Sequence, residues 1–109
     1  MADEIAVFVT ADELELARQI AGELVERRLV ACVNIVPGIE SIYRWQGAVQ
    51  RDREVLLIIK TSRHRFAEIE MLVKRLHTYQ LPEIIAVPID HGSQEYLDWI
   101  QESITNEHE

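Results

Sequence analysis

Cys32 and His77 are the two residues of this 109-residue chain whose side chains are best suited to binding a metal ion. A cysteine thiolate is a soft ligand and an imidazole a borderline one, so both are candidate metal ligands. Each has a structural alternative. Cys32 lies in an apolar segment, where a packed, buried thiol is common. His77 lies at the predicted end of a helix, where an imidazole can act as a cap or a structural cation.

Three further polar residues are candidates for a ligand cleft. Tyr79 and Glu83 flank Pro82 in a predicted loop, and Lys60 ends a predicted strand. If the loop folds over the end of that strand, these residues share a cleft at a subunit boundary with the two candidate metal ligands. The alternative is an ordinary interface whose polar groups satisfy one another.

Enzymatic chemistry has little support in the sequence. A small enzyme could use His77 and Glu83 as acid and base. However, the chain has no Walker lysine motif, no G-x-G-x-x-G and no G-x-S-x-G. We therefore expect no enzymatic activity.

The elements that must position these residues follow from changes in the apolar period. The pattern predicts the order β-α-β-β-α-β with an additional C-terminal helix, which is the α+β arrangement called ferredoxin-like. Continuous apolar runs at 5–9 and 55–59 predict two strands in the middle of a sheet with the order 4-1-3-2. Pro88 suits an edge strand, where a missing N–H is tolerated. We expect residues 1–109 to form one domain.

The helix boundaries are predicted from capping residues. Thr10 and Glu13 have the spacing of a capping box before the first helix. Ser62 is the expected cap of the second helix, and Ser93 of the last one. Leu81-Pro82 is expected to end the second helix.

Residues 31–45 and 48–61 predict a long projecting β2–β3 hairpin, with Gln46-Gly47 at its turn. Fifteen extended residues span roughly 50 Å, against a radius of gyration of about 13 Å for a domain of this size. Pro37-Gly38 interrupts the first arm and is a plausible bulge. Tyr43 and Trp45 near the outer end predict that another copy covers this edge in a closed homo-oligomer. The alternative is a simple surface hairpin.

Composition limits the partners and the compartment. Eleven basic and 19 acidic residues give a net charge of −8, which opposes nucleic-acid binding. No apolar run approaches the roughly 20 residues of a bilayer-spanning helix, so no membrane association is expected. One cysteine cannot form an internal disulfide, and the acidic N-terminal segment is unlike a signal peptide. We expect a cytoplasmic protein.

Several segments, in their order along the chain, resemble the CutA divalent-cation tolerance protein family. They are Ala31-Cys-Val-Asn34, Pro37-Gly38, Ser41-Ile-Tyr-Arg-Trp45-Gln-Gly47, Glu54 to Thr61, His77-Thr-Tyr79-Gln-Leu-Pro82-Glu83-Ile and Tyr96-Leu-Asp-Trp99-Ile. The resemblance implies a ferredoxin-like protomer and a homotrimer with long strands paired between subunits. It also implies a role in tolerance to copper and other divalent metals, and an architecture similar to that of the PII signalling proteins.

The resemblance also specifies which metal ligands this chain retains. Copper binding in the family is associated with a Cys at the end of the first strand and a His pair after the second helix. These positions are Val9 and Leu76-His77 here, so only His77 carries over. We therefore expect no required cofactor and weak binding, at most, of a divalent cation such as copper. The alternative function is a PII-like signalling scaffold whose intersubunit clefts hold a small metabolite or anion.

Overall fold

The computed structural model describes residues 3–105, so the first two and last four residues of the predicted domain lie outside it. Within the described residues the chain forms four strands and three α-helices, with a 3-10 turn at Arg63–Arg65. Their bounds are β1 Glu4–Ala11, α1 Leu14–Glu26, β2 Cys32–Trp45, β3 Ala48–Ser62, α2 Phe66–Leu76, β4 Ile84–Pro88 and α3 Gln94–Ser103.

The four strands form one antiparallel sheet with the order β2-β3-β1-β4. This confirms the ferredoxin-like prediction, including the central β1 and β3. Pro88 ends β4 at the edge of the sheet and lies opposite Ile5. Because β4 pairs on one side only, the missing N–H of this proline disrupts no ladder between two neighbours.

Helices α1 and α2 cover one face of the sheet. Alternate residues of the central strands point to this face and are fully buried, among them Val7, Val9, Leu57 and Ile59. They pack against apolar stripes of the two helices, which contribute Ile20, Leu24, Ile69 and Val73. This layer is the hydrophobic core, and its burial provides the main driving force for folding.

Helix α3 crosses part of the opposite face. The amide of Gln101 donates a hydrogen bond to Glu4 Oε2 (2.7 Å), and Ile100 and Ile104 are buried beneath the helix. Elsewhere on this face Ile85 and Val87 of β4 remain exposed in the single chain. The sheet therefore has one fully covered face and one partly covered face.

The β2–β3 hairpin projects from the body of the domain. The chain measures 47 Å along its longest axis and has a radius of gyration of 14.6 Å, against about 13 Å for a compact domain of this length. Strand β2 is continuous, contrary to the predicted interruption, and the bulge lies between Val36 and Ile39. Gly38 adopts φ of +77° there, a conformation that suits glycine. At the tip, Gln46 (φ 49°) and Gly47 (φ 82°) form the predicted turn.

Two predicted helix starts are wrong. Thr10 is buried inside β1, which continues to Ala11, so the capping box does not form and Glu13 precedes α1 without a side-chain cap. Ser62 is the last residue of β3, and its hydroxyl donates to the carbonyl of Asp3 rather than capping a helix (3.3 Å). In both cases strand pairing satisfies the backbone where a local cap was expected.

The end of α2 also differs from the prediction. The helix ends at Leu76, five residues before Leu81. His77 already has an extended backbone conformation (φ −73°, ψ 149°). The residues from His77 to Glu83 therefore form a connection without helix or strand, which we call the 77–83 loop. Ser93, by contrast, precedes α3 as predicted, although its side chain makes no capping hydrogen bond.

Two glycine substitutions test this backbone description in opposite directions. Gly47→Ala places a Cβ at positive φ and should lower the free energy of unfolding by about 1–2 kcal/mol. Gly22 lies inside α1, and no atom is within 4 Å of a Cβ added there. Gly22→Ala should therefore raise the free energy of unfolding by about 0.5–1 kcal/mol. Urea unfolding of both variants at one protein concentration measures the difference. Equal effects of the two substitutions would contradict the turn geometry.

A candidate ligand groove between the hairpin and the 77–83 loop

A cavity of the described chain lies between the outer half of the β2–β3 hairpin and the 77–83 loop. Its volume is about 760 Å³, within the range of small-molecule sites. We call it the hairpin groove. Its lining combines aromatic rings with carboxylates and includes Thr10, Tyr43, Trp45, Glu54, Tyr79 and Glu83.

Glu54 and Tyr79 form the polar centre of this groove. Strand β3 is polar over residues 50–54 and apolar over residues 55–59, so Glu54 is the last residue before the apolar run. Its side chain is almost buried, with 9% exposed. The hydroxyl of Tyr79 donates a short hydrogen bond to Glu54 Oε2 (2.5 Å). Burial, followed by this hydrogen bond and the nearby carboxylate charge, raises the pKa of Tyr79 well above its ordinary value of 10.0.

His77 holds the 77–83 loop against β1. Its ring Nε2 is 2.7 Å from the carbonyl oxygen of Thr10, and its Nδ1 accepts the backbone N–H of Tyr79 (3.0 Å). This network assigns the proton to Nε2, which donates to Thr10. The rings of His77 and Tyr79 also lie 4.6 Å apart, centroid to centroid. Both ring nitrogens are thus already used within the chain.

Tyr43 and Trp45 form the outer wall of the groove. The hydroxyl of Tyr43 donates to Asp52 Oδ2 across the hairpin, and this bond is the main cause of the raised pKa of Tyr43. The two side chains are 41% and 37% exposed. Exposure of two large aromatic residues on a projecting hairpin is typical of a surface that another chain covers.

Cys32 and Lys60 lie elsewhere, opposite each other at the inner end of the hairpin. Thr10, which contacts His77, pairs with Leu56 of β3. Lys60 is four residues further along β3, so about 13 Å of strand separates Lys60 from this contact. The ammonium of Lys60 donates to the side chain of Asn34. Cys32 lies beside Tyr96 of α3, whose pKa is raised first by burial and then by this thiol.

The structure therefore divides the five residues predicted to share a cleft. Tyr79 and Glu83 line the hairpin groove, and His77 lies directly behind it. Cys32 and Lys60 are at the other end of the same two strands. Proximity to a strand end was the basis of the prediction, but the antiparallel register determines which end meets the loop.

The described residues do not fit a tight metal site within one chain. No group of three or more His, Cys, Asp or Glu side chains among residues 3–105 could hold a metal ion. Transition-metal sites in proteins combine several such ligands. His77 alone, with both nitrogens hydrogen bonded, does not provide this set.

Two groove residues are missed by reasoning from the sequence. The spacing around Thr10 predicts a helix cap, and this residue contributes its backbone carbonyl to the His77 contact instead. Glu54 enters the sequence prediction only as the first residue of a family segment. The feature of the sequence that could have indicated Glu54 is its place immediately before the apolar run 55–59. A carboxylate at the start of a buried strand needs a hydrogen-bond partner.

Comparison with known proteins supports one family. Residues 5–103, nearly the whole described chain, match the family described as CutA1 divalent ion tolerance protein. The chain belongs to the CutA1 family. Its relatives include the chloroplastic protein CutA of Arabidopsis thaliana, which is 47% identical over 102 residues. That alignment covers 94% of this chain and 56% of the Arabidopsis protein, so the chain spans just over half the length of this relative.

Solved CutA1 structures share the fold. The divalent cation tolerance protein (Cut A1) of Thermus thermophilus is 55% identical with a TM-score of 0.90, covering 92% of this chain and 97% of that one. The structure described as the periplasmic divalent cation tolerance protein CutA of Archaeoglobus fulgidus is 42% identical with a TM-score of 0.90. It covers 94% of this chain and 99% of that one. Among residues 3–105, none of the helices combines the length and hydrophobicity needed to span a bilayer.

The Glu54–Tyr79 contact can be tested by tyrosine titration. In a Tyr43→Phe, Tyr96→Phe background Tyr79 is the only tyrosine, and absorbance near ~295 nm reports its ionisation. Adding Glu54→Gln keeps an acceptor but removes the charge, so the pKa of Tyr79 should fall while burial still holds it above 10.0. Asp52→Asn in the same background is the matched control and should leave the titration nearly unchanged. An equal shift in both variants would contradict the assignment.

Proposed function

We propose that this chain is a non-enzymatic, trimeric, cytoplasmic protein of divalent-metal tolerance that binds metal ions such as copper weakly at most. The observation that carries the proposal is the match to the CutA1 family over residues 5–103. The divalent-cation tolerance function is the family's description, and the assembly, the metal and the compartment are our extension of it. The single cysteine of the chain, free in the structure, is consistent with a reducing compartment.

Two features of the fold support a trimer. Strands β2 and β4 are the edges of the sheet, so each has one side of its backbone without a partner strand among the described residues. Exposed apolar side chains accompany both edges, including Ile42 and Trp45 on the hairpin and Ile85 and Val87 on β4. Long exposed edges of this kind lead to uncontrolled association unless they are covered. Pairing one edge type with the other, head to tail, gives a ring of identical subunits when the rotation closes, and a ring of three is the assembly that we propose.

Light scattering combined with size exclusion tests the assembly. The expected mass is three times the 12.6 kDa of the chain, and a mass near 12.6 kDa at micromolar concentration would contradict the trimer. Trp45→Ala should weaken association by about 2 kcal/mol or more if the indole anchors the interface. Val25→Ala is the matched control, since Val25 is an exposed apolar residue on α1, and it should leave the mass unchanged.

The bonds of His77 support weak rather than tight metal binding. A metal ion at Nδ1 must displace the N–H of Tyr79, and one at Nε2 must displace a proton and the carbonyl of Thr10. Cys32, the other candidate ligand, lies at the opposite end of the hairpin. Any further ligand for His77 therefore comes from the hairpin groove, where Glu83 is a candidate, or from a neighbouring subunit.

Calorimetric titration with copper, in a buffer that does not chelate it, tests this proposal. We expect a dissociation constant weaker than about 1 μM, which corresponds to about −8 kcal/mol. His77→Ala should weaken the binding further. Cys32→Ser should have a smaller effect, because Cys32 is remote from the imidazole. His91→Ala is the matched control, since His91 is exposed and lies beside Asp90.

Two results would contradict the proposed metal contact. Submicromolar affinity for the wild type would show that the absent family ligands at Val9 and Leu76 had been replaced by others. An equal loss of affinity in His77→Ala and His91→Ala would assign the metal to the acidic surface.

A small-ligand scaffold similar to the PII proteins is the second candidate function. The observation that favours it is the hairpin groove itself, with its volume of about 760 Å³ and the hydrogen bond between the buried Glu54 and the half-buried Tyr79 at its centre. The carboxylates of Glu54 and Glu83 line the groove, and Arg44 is the one cationic side chain among the described residues that line it. The sequence prediction was a small metabolite or an anion, and this charge distribution suits a neutral or cationic metabolite better than an anion. The same calorimetry with nucleotides and organic amines in place of copper separates the two candidates.

A further inference from the structure

A second recess lies on the helical side of the sheet and shares no residue with the hairpin groove. It has a volume of about 280 Å³ and is formed by one stripe of α2 and the segment after α1. Three arginines line it, together with apolar side chains and one carboxylate, Glu68. We call it the arginine recess; its defining residues are Arg27, Arg65, Arg75, Leu29, Met71 and Leu72.

The charge of this recess is opposite to that of the chain. The protein has a net charge of −8 and only 11 basic residues, yet three of these surround one small cavity that contains a single carboxylate. Arg27 and Arg75 lie at the C-terminal ends of α1 and α2, where helix dipoles favour cations. Arg65 immediately precedes α2, where a dipole disfavours a cation, so the dipole does not explain its position.

The guanidinium groups are incompletely neutralised. Arg27 pairs with Glu23 (3.0 Å), and Arg65 pairs with Glu68 (3.0 Å) and donates to the carbonyl of Ile104 (2.7 Å). The Nε of Arg65 is buried without a hydrogen-bond partner, and no other buried side-chain nitrogen or oxygen among residues 3–105 lacks one. Within the same range, none of the ion pairs involves Arg75. The recess thus keeps the positive charge of Arg75 without a paired carboxylate among residues 3–105, whereas Arg27 and Arg65 are paired.

We propose that the arginine recess binds a small organic oxyanion with a short apolar body. Guanidinium groups bind phosphate and carboxylate oxygens through paired N–H donors, and arginine does so with more geometric specificity than lysine. Leu29 and Leu72 provide an apolar floor, and Met71, with 68% of its surface exposed, provides a flexible wall against which an apolar group can pack. The volume of 280 Å³ limits the ligand to about the size of a phosphorylated or carboxylated single ring.

Phenyl phosphate is the probe, because it combines both parts of the proposed ligand. The full chain is titrated at low ionic strength in a phosphate-free buffer, and backbone amide shifts are followed by NMR. We expect saturable shifts at Arg27, Leu29, Met71 and Arg75, with an affinity that decreases as salt is added. Inorganic phosphate should bind more weakly than phenyl phosphate, because it has no group to place against Leu29 and Leu72.

Matched arginine variants determine whether the recess is the site. Arg75→Ala should weaken phenyl phosphate binding about tenfold or more, the loss expected for one charge-assisted contact. Arg75→Lys keeps the charge but loses the paired donors, and should give an intermediate loss. Arg18→Ala is the control, because Arg18 is an exposed arginine on α1 that pairs with Glu15 outside the recess. It should change the affinity by less than about twofold.

Three results would overturn the proposal. The first is the absence of saturable shifts, and the second is an equal loss of affinity in Arg75→Ala and Arg18→Ala. The third is a set of shifts confined to the hairpin groove. Equal affinities for phenyl phosphate and inorganic phosphate would remove the role of the apolar floor. None of these results bears on the CutA1 family function, because the recess contains neither His77 nor any groove residue.

Discussion

The antiparallel pairing of β2 with β3, from Cys32 opposite Lys60 to Trp45 opposite Ala48, is the constraint on which the candidate sites depend. Side chains alternate between the faces of a sheet, so a slip of one residue would exchange core and surface positions along the hairpin. The bulge between Val36 and Ile39 places two residues of β2 opposite one of β3, so the pairing of the outer half is offset by one residue from that of the inner half. The outer half then lies beside the 77–83 loop, and the hairpin groove is the space between them.

The 77–83 loop has no helix or strand of its own, so a few hydrogen bonds determine its position. The imidazole of His77 joins it to β1, and the phenol of Tyr79 joins it to Glu54 of β3. A hydrogen bond contributes about 0.5–1.5 kcal/mol, and leaving a buried carboxylate without its donor costs more than that. The imidazole that looks like a metal ligand in the sequence thus has a structural role in the fold. A metal ion at His77 would have to displace one of these anchoring hydrogen bonds.

Charge is distributed unevenly over this acidic chain. The hairpin groove contains Glu54 and Glu83, whereas the arginine recess on the helical side contains three guanidinium groups. The two cavities share no lining residue. The net charge of −8 therefore describes neither cavity, because the local charge of each depends on its own lining side chains.

The sequence by itself determined the element order, the strand order β2-β3-β1-β4 and the turn at Gln46-Gly47, because apolar period and turn chemistry are local properties. It failed at Thr10, where pairing of β1 with β3 outweighed a local capping signal. Tyr79 and Glu83 were predicted cleft residues that line the groove, but the contact of Tyr79 with Glu54 was decided by tertiary structure. Tyr79 and Glu54 are 25 residues apart, and only the register of two antiparallel strands, together with the burial of the carboxylate, brings them into contact. The same register places Cys32 and Lys60 at the inner end of the hairpin, away from the 77–83 loop. Because antiparallel strands run in opposite directions, the sequence alone does not specify which end of the hairpin lies beside this loop.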